Sequence, residues 1–320
     1  MNGLLKLLIL ISLISSISLL SCTENSPAPL RIGTNVWLGY EPLYLAREKN
    51  YFNQDKIRLV EFSSASQVIQ AYRNELIDAA ALTLDEVLLL LENGEKFTIV
   101  LVMDISNGGD AIVSQSNIKS LTQLKGKRIG VENNALGAYV ITRALEISKI
   151  DPRNVNIIKV DINEQGKAFT ENKVDAVVTF DPVLSKLTKQ GGNIIFDSKQ
   201  MPGEIVDVLI VRNQYIKQHR NNVQTLLDAW YKSLDYKDKA PEKAAQTLGK
   251  RSQLSVKETL AAYKGLKLPS QEENISFLLG DSPKLLATAQ KLTKTMINQN
   301  LIKKNINPSE LFNDSKLKHR

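Results

Sequence analysis

From Leu30 onward the chain alternates short β-rich runs with segments of helical period, and this rhythm confines it to an α/β fold. Residues 30–36 read as a strand, 42–52 as a helix with a Leu/Ala face, 56–62 as an alternating strand and 66–76 as a helix. A strand at 78–82, a helix at 85–92 and a nearly all-apolar strand at 97–103 complete a βαβαβαβ series, which predicts a mostly parallel sheet covered on both faces. The rhythm then restarts. Strands at 110–114, 127–131, 155–160, 175–179 and 193–196 alternate with helices at 121–124, 136–147, 165–171 and 181–189. One further apolar strand, 206–211, is followed only by helices, at 223–236, 241–249, 255–263 and 283–298. No internal repeat and no low-complexity segment is expected. Two α/β units with a helical tail predict two lobes, with chain crossings near 109–112 and 207–209.

The chain begins with a thin positive region at Lys6, then an apolar run over 7–20 broken only by serines. That run is short for a membrane span and reads as the core of a signal peptide. It ends in Leu19-Leu20-Ser21-Cys22, which is similar to a bacterial lipobox: an aliphatic residue, a small residue, then the cysteine that receives lipid. Residues 1–22 are accordingly expected to be a lipoprotein signal peptide, Cys22 the lipidation site and 23–29 a polar tether. An ordinary signal peptide with a chance cysteine, or an N-terminal anchor helix, is the competing reading. Cys22 is the single cysteine of the chain, so no internal disulfide forms.

Of 320 residues, 43% are hydrophobic, enough to bury one large core or two medium ones. The net charge of +7 is scattered, and no basic face interleaved with aromatics is present, which argues against nucleic-acid binding.

Three stretches carry a family resemblance. The first is Gly33-Thr34-Asn35-Val36-Trp37-Leu38-Gly39-Tyr40-Glu41-Pro42. The second is Gly109-Asp110-Ala111-Ile112-Val113 with Leu124-Lys125-Gly126-Lys127-Arg128-Ile129-Gly130-Val131-Glu132. The third is Val174-Asp175-Ala176-Val177-Val178-Thr179-Phe180-Asp181-Pro182. In this order and spacing the chain resembles the substrate-binding proteins of nitrate/sulfonate/taurine-type ABC importers, a group that includes thiamine-pyrimidine binders. The resemblance implies a bilobed periplasmic-binding-protein fold of type II, with two mixed-sheet lobes, a hinge and a helical C-terminal tail. Lobe 1 is expected at 30–109 and 208–320, and lobe 2 at 110–207. It also implies a monomer outside the cytoplasm, lipid-anchored to the membrane, that captures a small solute between closing lobes and delivers it to ABC permease and ATPase subunits. No cofactor and no metal is expected.

In open α/β sheets ligands sit beyond the C-terminal strand ends, where helix N-termini offer unpaired N–H groups. The turn after the first strand offers Trp37, Gly39 and Tyr40: two aromatic walls and a close backbone approach. Trp37 has a plain alternative as a core anchor. Ser64 and Ser66 are helix-capping or oxyanion-binding candidates. Thr83 opens the next turn, and Asp85 reads as a first-turn acid favoured by the helix dipole. In the second unit Asn134, Gly137 and Tyr139 open the long helix. Asp181 is balanced between N-cap and ligand contact, with Pro182 suited to the first helical position. Asp104, Asp110, Glu204 and Asp207 are expected to form an acidic rim near the hinge. Such a rim suits an amine, amidine or aminopyrimidine, whereas converging helix N-termini suit a sulfonate or nitrate. No Arg or Lys falls inside a ligand turn.

Catalysis has little to draw on. His219 and His319 fall outside the expected cleft, and with Cys22 lipidated no Cys/His pair, Ser-His-Asp set or metal cluster remains. No G-x-G-x-x-G or Walker loop is present. The alternative functions are a lipoprotein that senses solute for a membrane signalling protein, or a periplasmic enzyme on the same fold. Enzymes resembling pyrimidine synthases rely on Cys- and His-bearing motifs absent from this chain.

Overall fold

The computed structural model describes residues 28–312, so the expected signal peptide, Cys22 and His319 lie outside the described residues. The first unit runs β1 (Leu30–Thr34), α1 (Glu41–Glu48), β2 (Ile57–Glu61), α2 (Ala65–Arg73), β3 (Ala79–Thr83), α3 (Leu84–Glu92) and β4 (Phe97–Ser106). The second comprises β5 (Asp110–Ser114), β6 (Arg128–Val131), α4 (Ala135–Ile147), β7 (Asn156–Lys159), α5 (Ile162–Thr170), β8 (Ala176–Phe180), α6 (Val183–Lys189) and β9 (Asn193–Asp197). The chain then continues through β10 (Val206–Arg212), α7 (Asn213–Lys239), α8 (Pro241–Leu248), α9 (Val256–Ala262), β11 (Leu266–Lys267), α10 (Gln271–Leu278) and α11 (Lys284–Asn298).

These strands form two sheets, ordered β11-β4-β10-β3-β1-β2 and β7-β6-β8-β5-β9. The expectation of a mostly parallel first sheet needs correction. β1 pairs in parallel with β2 and β3, but β10 inserts antiparallel between β3 and β4. Residues 206–211 read clearly as an apolar strand, yet nothing in their pattern marks which neighbours they separate. The tail is not purely helical either. The two-residue β11 pairs with β4, and α10 was absent from the expected series. Helix α10 is signalled by its Ser270/Glu273 capping box rather than by an apolar stripe.

The expectation of no internal repeat also fails. Arg31 uses its backbone N–H and guanidinium to hold Asp78, and its Nη2 donates to the Glu75 carbonyl. Arg128 does the same with Asp175 and the Asn172 carbonyl. Each Arg–Asp pair is 47 residues apart. Each clamp ties the first strand of a βαβαβ unit to the start of its third. Glu75 and Asn172 both take left-handed φ values, of 57° and 55°. The two sheets thus share one βαβαβ arrangement, and Arg-Ile-Gly and Asp-Ala occur at matching places in both.

The tail packs back on the first unit. Buried Leu226, Leu227 and Trp230 of α7 share a core with Leu43, Tyr44 and Ala46 of α1. Another apolar cluster runs without a break from Leu84, Val87 and Leu88 of α3 to Tyr139, Val140 and Ala144 of α4, so the two units meet through these helices.

Candidate functional site

A narrow cavity with about 20 Å³ of free volume lies between the two units, at the C-terminal ends of their parallel strands. That is room for about one water-sized group, whereas the adjoining vestibule, with about 550 Å³, falls in the range of small-ligand pockets. The repeat explains the cavity's walls. Asn35 is the first residue past β1 and Glu132 the first past β6. Trp37 and Asn134 each cap the helical turn that follows those strands, and Thr83 and Phe180 each close the third strand of a unit. Tyr40, Ala65, Glu86 and Leu136 add to the walls, while Asp110 and Asp207 enter from the strands at the crossing between units.

The candidates named from sequence separate cleanly. Trp37, Tyr40, Thr83 and Asn134 line the cavity. Gly39, Ser64, Ser66, Gly137, Tyr139 and Asp181 are not among its walls. Gly39 is buried, and a Cβ there would lie 1.7 Å from Asp104 Oδ2. Ser64 accepts the Gln67 N–H as the cap of α2, and Ser66 is exposed. Gly137 donates its N–H to Asn134 Oδ1 at 2.8 Å, and the Tyr139 hydroxyl donates to Glu204 at 2.6 Å. Asp181 Oδ1 accepts the Ser185 N–H at 3.0 Å; the cap of α6 is Pro182, one residue later than expected.

The anticipated acidic rim is instead an interior. Asp104, Asp110 and Asp207 are buried, whereas Glu204 stands apart, held by Tyr139 and Arg143. Asp104 accepts the Trp37 indole N–H at 3.0 Å, and Asp207 accepts the Tyr40 hydroxyl. Sequence reasoning did not single out Glu86 or Glu132. Glu86 stands three residues after Thr83, as a capping-box acid does, and Glu132 ends a parallel strand where ligands gather. Both signals were available.

Burial dominates the electrostatics. It pushes the Asp104 carboxyl up to about 8, and the charge of Asp110 adds to this. Asp110 is pushed up to about 7 by burial, as is Glu132. Burial, with neighbouring carboxyls, holds Glu86 and Asp207 well above the carboxylate range. No Lys, Arg or His lines this chamber among the described residues. Asn134 Nδ2 reaches across from the second unit to Glu86 Oε1 at 3.1 Å, and Asn163 Nδ2 reaches the Ser63 carbonyl at 3.3 Å. Beyond Asn35 and Phe180 the space widens into a solvent-open vestibule bordered by Ser63, Pro182, Lys186 and Arg251.

Sequence comparison matches residues 23–249 to the NMT1-like family. The chain belongs to the NMT1-like family. A Brucella abortus (strain 2308) protein assigned as a binding protein is 23% identical to this NMT1-like chain over 149 residues, which is 44% of this chain and 46% of the relative. The chain thus matches about half the length of that relative. A Bacillus subtilis (strain 168) protein assigned to aliphatic sulfonate binding is 25% identical over 68% of this chain and 67% of its own length. The taurine-binding periplasmic protein of Escherichia coli K12 is 23% identical over 58% of this chain and 61% of its own. Among solved structures, the alkanesulfonate-binding protein SsuA of Xanthomonas axonopodis pv. citri, bound to MOPS, superposes with a TM-score of 0.76. It is 21% identical and covers 89% of this chain and 98% of its own. These likenesses establish a two-lobed periplasmic-binding-protein fold for the NMT1-like chain. The desulfurization enzyme DSZB has the same fold at a TM-score of 0.67 and 14% identity, so function must be argued from the site.

Proposed function

We propose that this chain is the extracytoplasmic solute-binding component of an ABC importer, anchored to the membrane by lipid on Cys22. Its ligand is a small sulfonate-, nitrate- or taurine-like solute, or a nitrogenous organic one, held between lobe 1 (30–109 and 208–320) and lobe 2 (110–207). The observation that carries this reading is the cavity walled by matching strand ends of both units and bridged by Asn134 and Glu86. A site whose two halves sit on separate sheets is completed by closure, and closure makes a surface that a permease recognises. The binding proteins among the relatives support the same reading.

Small-angle scattering of the full-length chain with and without candidate solutes tests it. The radius of gyration falls on binding, with micromolar or tighter affinity as the order of magnitude. Substitution Trp37→Ala lowers that affinity at least about tenfold, because the indole is a cavity wall. A profile unchanged by every solute, including any that co-purifies, sinks the reading. Metabolic labelling with a lipid analogue tests the anchor: label is incorporated by the natural chain and lost in Cys22→Ser.

A further inference from the structure

The solute-binding reading leaves the ligand's charge open, and the inner chamber constrains it. Among the described residues its walls hold four carboxyl side chains and no cation: Glu86, Asp110, Glu132 and Asp207. Two of the four are engaged by the protein. Glu86 takes the Thr83 N–H on one oxygen and the Asn134 amide on the other, and Asp207 takes the Tyr40 hydroxyl. The other two keep a free acceptor. Asp110 Oδ2 and Glu132 Oε1 have no hydrogen-bond partner, although these residues are only 4% and 6% exposed. A buried carboxyl oxygen without a donor costs about 1–3 kcal/mol or more, so such a group is kept where a ligand supplies the donor. Both belong to the second unit, on strands that flank β8: Asp110 starts β5 beside the crossing, and Glu132 follows β6. The remaining walls are aromatic. Trp37 and Phe180 meet edge to face with ring centroids 5.4 Å apart, and Tyr40 stands beside them. Aromatic faces attract organic cations and repel anions.

We infer that the inner chamber takes the head group of a small organic cation, an ammonium, amidinium or guanidinium, whose N–H groups bond Asp110 and Glu132 and whose apolar part lies against Trp37 and Phe180. A sulfonate or nitrate without a basic nitrogen would enter a space of carboxyls with no compensating cation and only the neutral side chains of Asn35, Thr83 and Asn134 to set against its desolvation. An anionic end on such a ligand points outward, to the vestibule where Lys186 and Arg251 stand. This inference rests on the solute-binding reading and narrows it to cationic-nitrogen solutes.

The test uses the gently purified full-length chain. Solute released from it is identified by mass spectrometry, and calorimetry follows binding of butylammonium, agmatine and butane-1-sulfonate, the first and last sharing one carbon chain. The expected result is a released solute with a basic nitrogen, and affinity for agmatine or butylammonium at least tenfold above that for butane-1-sulfonate. Asp110→Asn and Glu132→Gln are near-isosteric and neutral. Each is expected to weaken cation binding at least tenfold while circular dichroism and melting show a folded chain. Preferential binding of butane-1-sulfonate, a released solute without basic nitrogen, or folded variants with undiminished cation affinity overturns the inference and leaves solute binding standing. No binding of any probe, with no solute released, overturns both.

Discussion

Asp104 and Asp207 stand directly opposite each other in the β4–β10 pairing, and both carboxyls are buried at the rear of the interlobe chamber. Two carboxylates this close in a dry site cannot both hold their charge, so the folded chain keeps protons that free aspartates release. Trp37 and Tyr40 donate to one acid each, tying the turn after β1 to the strand crossing. The aromatic wall of the chamber and its acidic floor are therefore one connected structure.

These protons give stability an unusual pH dependence. Unfolded carboxyls ionise near their ordinary values of 3.8 and 4.5, whereas folded Asp110 and Glu132 do so at about 7 and Asp104 at about 8. The folded chain binds more protons across that window, so its stability falls as pH rises from about 4 to about 8. Asp175, held below its usual range by Arg128, acts in the opposite sense and loses its contribution only as pH falls through its lowered value. The expected melting temperature is higher at pH 5.5 than at pH 8.5 by at least about 3 °C, and Asp104→Asn reduces the difference. Equal melting temperatures at the two pH values refute this.

Gly39 tolerates no side chain. A Cβ there would lie 1.7 Å from Asp104 Oδ2 and 2.5 Å from Trp37 Nε1. Gly39→Ala forces the indole or the carboxyl aside and costs about 1–3 kcal/mol by overpacking. Denaturant titration measures the loss, and a quenched or shifted tryptophan spectrum reports the displaced ring. A variant as stable as the parent, with the same spectrum, shows the turn to be more compliant than its packing implies.

Arg251 secures the tail to the first unit. Its guanidinium lies 2.7 Å from buried Glu41, bonds Glu61, and stacks 3.4 Å from the Tyr44 ring centroid. Glu41 is 0% exposed, and burial raises its carboxyl to about 8 even though Arg251 opposes the shift. Removing the arginine leaves that largely protonated acid without its partner, at a cost of about 1–3 kcal/mol. Arg251→Ala is expected to lose this much in urea titration, and adding Glu41→Gln is expected to recover part of it. Purely additive losses in the double variant argue against the pair.

The Asn134–Glu86 contact is separable from helix capping. Asn134 Oδ1 caps α4 through the Gly137 N–H, while its Nδ2 reaches Glu86. Asn134→Ser keeps a capping oxygen and removes the cross-lobe donor. Scattering is expected to show a larger radius of gyration without ligand, at a melting temperature within about 2 °C of the parent. An unchanged radius means that the apolar α3–α4 contact alone holds the units together.

The order of strands and helices was legible because buried strands are short apolar runs flanked by turn residues, as 97–103 and 206–211 are. Sheet order was not, since pairing partners far apart leave no local mark. The repeat escaped notice because few identities mark it, and its evidence is a hydrogen-bond pattern, Arg31–Asp78 and Arg128–Asp175. Strand-end reasoning singled out Trp37, Tyr40, Thr83 and Asn134, which line the cavity. Tyr139 is not among the walls, because one helical turn carries its side chain to Glu204. The same reasoning passed over Glu86, whose capping position disguises a cavity wall.

The antiparallel insertion of β10 between β3 and β4 also sets an order of assembly. During synthesis β3 and β4 emerge early, but the strand that joins them comes only after the entire second sheet. Until then both present bare edges, which are sites for mispairing and aggregation. Contacts of such long sequence separation slow folding. The first sheet is begun first and finished last, so a nascent chain of this design needs protection until Val206–Arg212 arrives.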